Sequence, residues 1–318
     1  MATATDRPRR ERRRVDGVLL LDKPTGCTSN AALQRVKRAY GAAKAGHAGT
    51  LDPAASGLLP ICLGEATKFA QGLTDADKTY EALVELGVTT TTGDAEGEVT
   101  GRHEVAVSPE AIEAALGRFR GAILQVPPMH SALKRQGQPL YAYARRGEEV
   151  ARAPRPVTIH ELRLLEGSGT RLRLLVRCSK GTYVRVLAED IGRGLGCGAY
   201  LAGLRRTAVG AFAVAQAYPL DVLEAMTPGE RDGLLLPVDA LLEGLPSLQL
   251  DAAAAAAFRH GRAVRTPPGA AAGLLRAYGP EGEFLGVGCH DTVRGEVLPS
   301  RVVAAAAGGA VSVPASAA

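Results

Sequence analysis

The sequence predicts an α+β chain. Strand and helix periodicities alternate along residues 17–214, and a composition shift at Gly244-Leu245-Pro246 opens a smaller β-rich module of about 60 residues. The composition agrees: 46% hydrophobic and 22% charged is ordinary globular usage, so most of the 318 residues should fold.

In chain order, residues 1–14 (MATATDRPRRERRR) read as a disordered basic tail. GVLLL, 17–21, is a short buried strand halted at Lys23-Pro24. Ser29 is expected to cap a helix over 29–40, with Leu33, Val36 and Tyr40 on one face and Arg35, Lys37 and Arg38 largely elsewhere. A loop follows, then an apolar, turn-rich piece and a helix start near Glu65. TYEALVELG puts Tyr80, Ala82, Val84 and Leu86 on one side of a strand. TTTTGDAEG is a polar turn, and Ser108-Pro109 opens a helix to about residue 119. Residues 122–153 read as irregular, basic and Tyr-bearing. RLRLLVRC (171–178) is a strand, 183–194 a helix ending in glycines, and 204–214 another strand. The chain from about 304 is low-complexity and expected to be disordered.

No apolar run is long enough for a membrane span, and the Arg-rich start lacks the apolar core of a signal peptide. Five cysteines without C-x-x-C spacing disfavour a disulfide framework or zinc site. A cytoplasmic location is therefore expected. The net charge of +5 and pI near 9.0 permit a polyanionic partner. Aromatics are only 4%, with no Trp, so shape and phosphate contacts are the expected basis of any RNA binding.

The segment GHAGTLDPAASGLLPICLGEATK, 46–68, carries one acid, Asp52, in small and apolar surroundings. Locally Asp52-Pro53 reads equally well as a turn whose carboxylate caps nearby amides. His47 alone reads as a packed or surface histidine, Tyr80 as core and Arg185 as a surface arginine; 129–134 reads as a solvated loop. GAAKAGH has phosphate-loop glycine spacing but lacks the Lys-Ser/Thr that grips phosphate, which argues against a nucleotide triphosphatase.

Taken together, six segments resemble, in order, the TruB-type tRNA pseudouridine-55 synthases. They are DGVLLLDKPTGCTSN, GHAGTLDPAASGLLPICLGEATK, DKTYEALVELGVTTTTGDAEG, VPPMHSALKRQGQPLYAYARRG, CSKGTYVRVLAEDIG and LGCGAYLAGLRRTAVG. Matches run from about residue 16 to 303. The resemblance implies a pseudouridine-synthase catalytic domain over 15–244, with a mixed, largely antiparallel sheet and flanking helices. It implies an RNA-gripping insertion at 122–153 and a small PUA-like β-barrel over 245–303, for which LRAYG and FLGVG are the sequence support.

It further implies isomerisation of uridine 55 in the TΨC arm of tRNA, without metal or cofactor. Asp52 matches the family's essential aspartate, Arg185 the arginine whose charge keeps it ionised, and Tyr80 the tyrosine that stacks on the flipped base. A single carboxylate suits cleavage at the sugar C1′ in a dry pocket that must retain the base. Tyr183 and Leu204 match residues lining the base pocket. His47 matches the histidine holding the T-loop open, Lys23 and Pro24 the support of the catalytic loop, and Asp94 an acid of the active-site network. Lys134, Arg135, Arg145 and Arg146 would meet phosphates. His130 stands where many members have Tyr.

The expected partner is tRNA, gripped at the T-arm stem-loop and, through the C-terminal module, at the acceptor end. The protein is expected to be a monomer without an obligate protein partner, with tRNA folding as a further role. A non-catalytic RNA-binding protein of this fold would not need Asp52, Tyr80 and Arg185 together. A base-excising glycosylase would need a water-activating acid or Asn, which is not evident. A guide-RNA-dependent relative would need partner proteins, whereas the 122–153 insertion favours direct tRNA recognition.

Overall fold

The computed structural model describes residues 12–131, 133–266 and 269–304. Its larger part is one ten-stranded sheet. The principal strands are β1 (Gly17–Lys23), β2 (Ser56–Leu63), β3 (Lys78–Leu86), β4 (Gly121–Gln125), β5 (Arg155–Ser168), β6 (Arg171–Cys178) and β7 (Ala199–Val209). Across the sheet the order is Tyr218–Pro219, β1, β2, β7, β3, β6, β5, β4. Only the Tyr218–Pro219 pairing with β1 and the β2–β7 pairing are parallel, so the sheet is mixed and largely antiparallel, as the sequence reading expected.

The strands form where side-chain alternation can bury one face. In β6, Leu172, Leu174, Val176 and Cys178 point inward while Arg171, Arg173 and Arg177 point out. They pack with Ala82, Val84 and Leu86 of β3 and with two helices, α2 (Pro109–Gly117) and α3 (Val184–Gly194). Helix α1 (Ser29–Ala39) lays Ala32, Leu33 and Val36 on Leu19, Leu21, Leu59 and Ile61.

Four local expectations are corrected. Thr28, not Ser29, caps α1, its hydroxyl accepting from Ala31 N at 3.0 Å; this frees Ser29 for the site. The turn-rich piece after Asp52 is β2, buried along nearly its whole length between β1 and β7, where Gly57 and Pro60 obscure a strand pattern. The segment 122–153 starts in strand β4, then forms the small Lys134–Arg135/Gln138–Pro139 pair and a helical turn, Leu140–Ala144. Strand 204–214 is really β7, which begins at Ala199 and stops before the Gly210 turn. The fourteen-residue β5 lacks a clean period-two signature because register shifts interrupt its pairing twice.

The C-terminal module holds β8 (Ser247–Gln249), β9 (Val264–Arg265), β10 (Gly273–Tyr278), β11 (Phe284–Asp291) and β12 (Glu296–Val302). They form a separate sheet in the order β8-β10-β11-β12-β9, with helix α4 (Ala252–Arg259) setting Phe258 into its core. Phe284 meets Phe69 edge-on at 5.5 Å, and the Tyr278 hydroxyl donates to Asp239 Oδ2 at 2.7 Å, tying the module to the larger part.

Residues 1–11 of the expected N-terminal tail, and the expected C-terminal tail beyond Ala304, lie outside the described residues. Residues 12–14, the end of the tail expected to be disordered over 1–14, are described, and there the expectation is corrected: Arg13 is docked, its Nε donating to Tyr40 O at 2.7 Å and its Nη1 to Asp232 Oδ2 at 2.6 Å.

Candidate active site

The loop that carries Asp52 is clamped from behind. Ser29 Oγ accepts from Leu51 N and donates to Leu51 O, both at 2.8 Å. Lys23, at the end of β1 and fully buried, donates to Pro24 O at 2.8 Å, Cys27 O at 2.6 Å and Pro53 O at 3.4 Å. Burial pushes its ammonium pKa down. Gly26 N reaches Pro53 O at 2.8 Å. The chain on each side of Asp52 is thereby fixed, and its carboxylate, 44% exposed, faces open space.

Arg185 comes from the first turn of α3 and is only 7% exposed. Its Nη2 lies 3.1 Å from Asp52 Oδ2 and its Nη1 3.1 Å from Asp94 Oδ2. Nη2 also donates to His130 O at 2.8 Å. Asp94 is oriented in turn by the Thr92 hydroxyl at 2.5 Å and Glu96 N at 3.1 Å. One planar guanidinium thus joins two carboxylates and the backbone of the 122–153 segment.

Asp52 and Arg185 open onto a cavity of about 260 Å³ that Tyr80, Tyr183, Leu204 and His130 also line. Tyr80 rises half-buried from β3, and burial raises its phenol pKa. Tyr183 is held at the start of α3 by the buried Gln125 side chain, which accepts from Tyr183 N at 3.0 Å and donates to Tyr183 O at 3.3 Å. Burial raises the Tyr183 pKa as well. A second, more open groove of about 660 Å³ shares Asp52, Arg185 and His130 and adds His47, Asp94 and Arg145. His47 is half-buried, and this burial, with the Arg206 charge second, lowers its pKa so that it stays neutral at neutral pH; its Nδ1 has no hydrogen-bond partner among the described residues. The arrangement offers an anionic oxygen, a buried counter-charge and an aromatic face around one nucleoside-sized space.

Not every residue singled out from sequence reaches this space. Lys23 acts from behind the loop. Lys134 is exposed on the small strand pair and lines neither cavity. Arg146 is exposed, pairs with Glu148 at 2.6 Å and stacks over Tyr143 at 4.8 Å. Sequence reasoning passed over Ser29, Lys78, Ser131, Gln125 and Arg206. Lys78, with a pKa lowered to about 8 by burial, and Arg206 both line the small cavity. The sequence carried no clear signal for either: Lys78 opens its strand beside Asp77 and Glu81, and Arg206 follows Arg205, so each reads as one of several charged residues on a half-exposed strand.

Three family descriptions match consecutive parts of the chain. "TruB family pseudouridylate synthase (N terminal domain)" matches residues 37–184, "tRNA pseudouridylate synthase B C-terminal domain" 185–243, and "Pseudouridine synthase II TruB, C-terminal" 246–303. The tRNA pseudouridine synthase B of Azoarcus sp. (strain BH72) is 57% identical over 297 residues, covering 93% of this chain and 98% of that protein. That of Aromatoleum aromaticum is 58% identical over 299 residues, covering 94% and 96%. Among solved structures, a Cbf5-Nop10-Gar1 complex is similar at 30% identity and a TM-score of 0.65, over 86% of this chain and 78% of the other. An H/ACA RNP bound to a substrate RNA containing 2′-deoxyuridine is similar at 26% identity and a TM-score of 0.67, covering 90% and 84%.

Proposed function

The chain belongs to the TruB family of tRNA pseudouridine synthases, and from that premise we propose that it converts uridine 55 in the TΨC arm of tRNA to pseudouridine. The single observation that supports this most is the Arg185 guanidinium joining Asp52 to Asp94 at the rim of a nucleoside-sized cavity. In the reaction the N1–C1′ bond breaks, the uracil turns, and a C5–C1′ bond forms. C5 gives up its hydrogen and N1 gains one, so atoms and electrons balance without an oxidant or reductant.

Asp52 places negative charge beside C1′ as the base departs. Arg185, almost without solvent, holds that carboxylate in one orientation. Tyr80 offers a flat face to the flipped uracil; stacking at ~1–3 kcal/mol offsets part of the few kcal/mol spent on unstacking. Tyr183 and Leu204 close the pocket and keep the freed base from water. The wider groove with His47, Asp94 and Arg145 suits the rest of the T-loop, with Lys134, Arg145 and Arg146 meeting phosphates. The C-terminal module meets the acceptor end of the tRNA. In this reading the catalytic domain spans 15–244 and the module 245–303, and the protein works in the cytoplasm as a monomer without a cofactor or obligate protein partner. Assistance to tRNA folding would follow from holding the T-arm open.

The test is incubation of the purified chain with unmodified tRNA, followed by mapping of pseudouridine at single-nucleotide resolution. Product at position 55 alone is the expected result. Product elsewhere in the tRNA would overturn the site, and no product would overturn the activity.

A further inference from the structure

We propose that Gln125 is a positioning residue for the reaction: its buried amide locks the backbone of Tyr183 to the root of the 122–153 insertion. The first turn of α3 is thereby held in one placement, with Tyr183 in the cavity and Arg185 on Asp52, while the insertion grips RNA. The inference rests on the reading of this cavity as the uridine site.

Gln125 is the last residue of β4, an edge strand of the large sheet, and its Cα partner is Arg155, the first residue of β5. The chain between these two partners belongs to the insertion, so Gln125 stands at its root. Burial along β4 runs against hydrophobicity. Leu124 is 68% exposed, while Gln125, at 2%, is the one buried residue of the strand. An edge position that buries an amide and exposes a leucine is set by something other than apolar packing.

What sets it is the backbone of Tyr183. Gln125 Oε1 accepts from Tyr183 N at 3.0 Å, and Nε2 donates to Tyr183 O at 3.3 Å. A backbone N–H only donates and a carbonyl only accepts, so the two contacts fix which end of the amide is which. Tyr183 stands just ahead of Val184, at the helix start where N–H groups have no partner within the helix. Its carbonyl also takes Leu187 N at 3.1 Å, the opening bond of α3. One side chain thus does for this backbone unit what a neighbouring strand would do.

A second contact runs the other way. Arg185 Nη2 donates to His130 O at 2.8 Å, farther along the insertion, while the same nitrogen lies 3.1 Å from Asp52 Oδ2. Between the two contacts, Pro127 and Pro128 restrict the backbone, and Arg152 Nη1 on the returning leg donates to Pro127 O at 3.2 Å. The insertion and the first turn of α3 are therefore stapled reciprocally, a side chain of each on the backbone of the other. Two separated points fix an orientation where one leaves a pivot. Without the Gln125 end, the guanidinium that aims Asp52 would turn with the insertion. Gln125 lines neither cavity, so it acts only through Tyr183 and Arg185.

The test compares Gln125→Leu and Gln125→Glu with the unmutated chain, read as single-turnover pseudouridine formation and as tRNA affinity, well below each melting temperature. Leucine fills the space without an amide. It should slow the chemical step by ~10-fold or more, with tRNA affinity within ~2-fold. A protonated glutamic acid keeps both contacts, its C=O toward Tyr183 N and its O–H toward Tyr183 O; once ionised it can only accept, and it faces a carbonyl. Taken as a ratio to the unmutated chain at the same pH, the Gln125→Glu rate should be within ~3-fold at about pH 5.5 and fall as pH rises, whereas the Gln125→Leu ratio stays flat. A Gln125→Leu rate within ~2-fold of the unmutated chain, a loss in affinity alone, or a Gln125→Glu ratio without pH dependence overturns the proposal.

A second measurement needs no pseudouridine. Hydrogen exchange at the Tyr183 amide is compared between the unmutated chain and Gln125→Leu. Without Gln125 Oε1 this amide should exchange ~10-fold or more faster, while the amides of β3 and β6 keep their protection. Unchanged exchange at Tyr183 overturns the clamp. This comparison decides the Gln125–Tyr183 relationship even if the chain forms no pseudouridine, so failure of the activity reading is seen separately.

Discussion

Arg185 Nη2 lies 3.1 Å from Asp52 Oδ2, with the arginine 7% exposed and the aspartate 44% exposed. The pair is asymmetric by design of the fold. The cation is locked in the protein by Asp94, Thr92 O and His130 O, while the carboxylate it supports is presented to the cavity. Such geometry fixes an anion without covering it.

Asp52→Asn keeps the shape and removes the charge. The rate of pseudouridine formation on a T-arm stem-loop should fall by ~10⁴-fold or more, while stem-loop affinity stays within a few-fold. Persistent turnover, measured by product mapping at long times, would remove Asp52 from the chemistry.

Arg185→Lys retains one positive charge but cannot span Asp52 and Asp94 together. Single-turnover rates should drop by ~10²-fold with little change in RNA affinity. A loss seen in affinity and not in rate would make Arg185 an RNA-binding residue instead.

His47 gives a pH signature. Burial, then the Arg206 charge, lowers its folded pKa below the ordinary 6.5. The unfolded chain therefore takes up this proton first as pH falls. The stability linked to His47 is fully present above pH 6.5 and is lost as pH falls through the lowered folded value. Between pH 7 and pH 5 the wild type should lose more melting temperature than His47→Gln; equal losses would show that His47 is not desolvated.

Gly57→Ala tests the parallel β2–β7 seam beneath the site. Gly57 has φ +102, and an added Cβ would fall 2.2 Å from Arg206 O. Strand separation is the only relief, so stability should drop by about 3 kcal/mol or more in a denaturant titration. A loss under about 1 kcal/mol would mean that this seam yields easily.

Truncation at the 244–246 segment removes the C-terminal module and uncovers Phe69 and Leu241, which pack with Phe284 and Val287. The truncated chain should melt at a lower temperature, yet convert an isolated T-arm stem-loop below that temperature and bind whole tRNA more weakly. An unchanged melting temperature would show that this contact contributes nothing to the fold; unchanged whole-tRNA affinity would remove the module from binding.

Several elements were legible in the chain because a local rule decided them. RLRLLVRC alternates, and strand β6 follows it residue for residue. Ser108-Pro109 opens α2 through a hydroxyl cap. β2 was not legible, since Gly57 and Pro60 imitate a turn and only the flanking strands β1 and β7 make its apolar run a strand. Ser29 was misread as a cap because Thr28 beside it serves equally well, and nothing in the sequence says that Leu51 will arrive to take the Ser29 hydroxyl.

The sequence by itself determined the family, through six ordered segments, and with it the class of chemistry. It also determined that Asp52 would stand in apolar surroundings, because those neighbours are contiguous with it. Only the tertiary structure decided what surrounds that carboxylate in space. Arg185, Asp94, Tyr80 and Arg206 lie on separate elements, and their distances depend on sheet order and strand register, which no local pattern encodes. The same holds for exposure: Arg146 and Arg206 are alike as letters, but one is a solvated partner of Glu148 and the other is sealed under the cavity. Burial is a property of the packed whole, and it sets which charges are screened by water and which act on their neighbours at full strength.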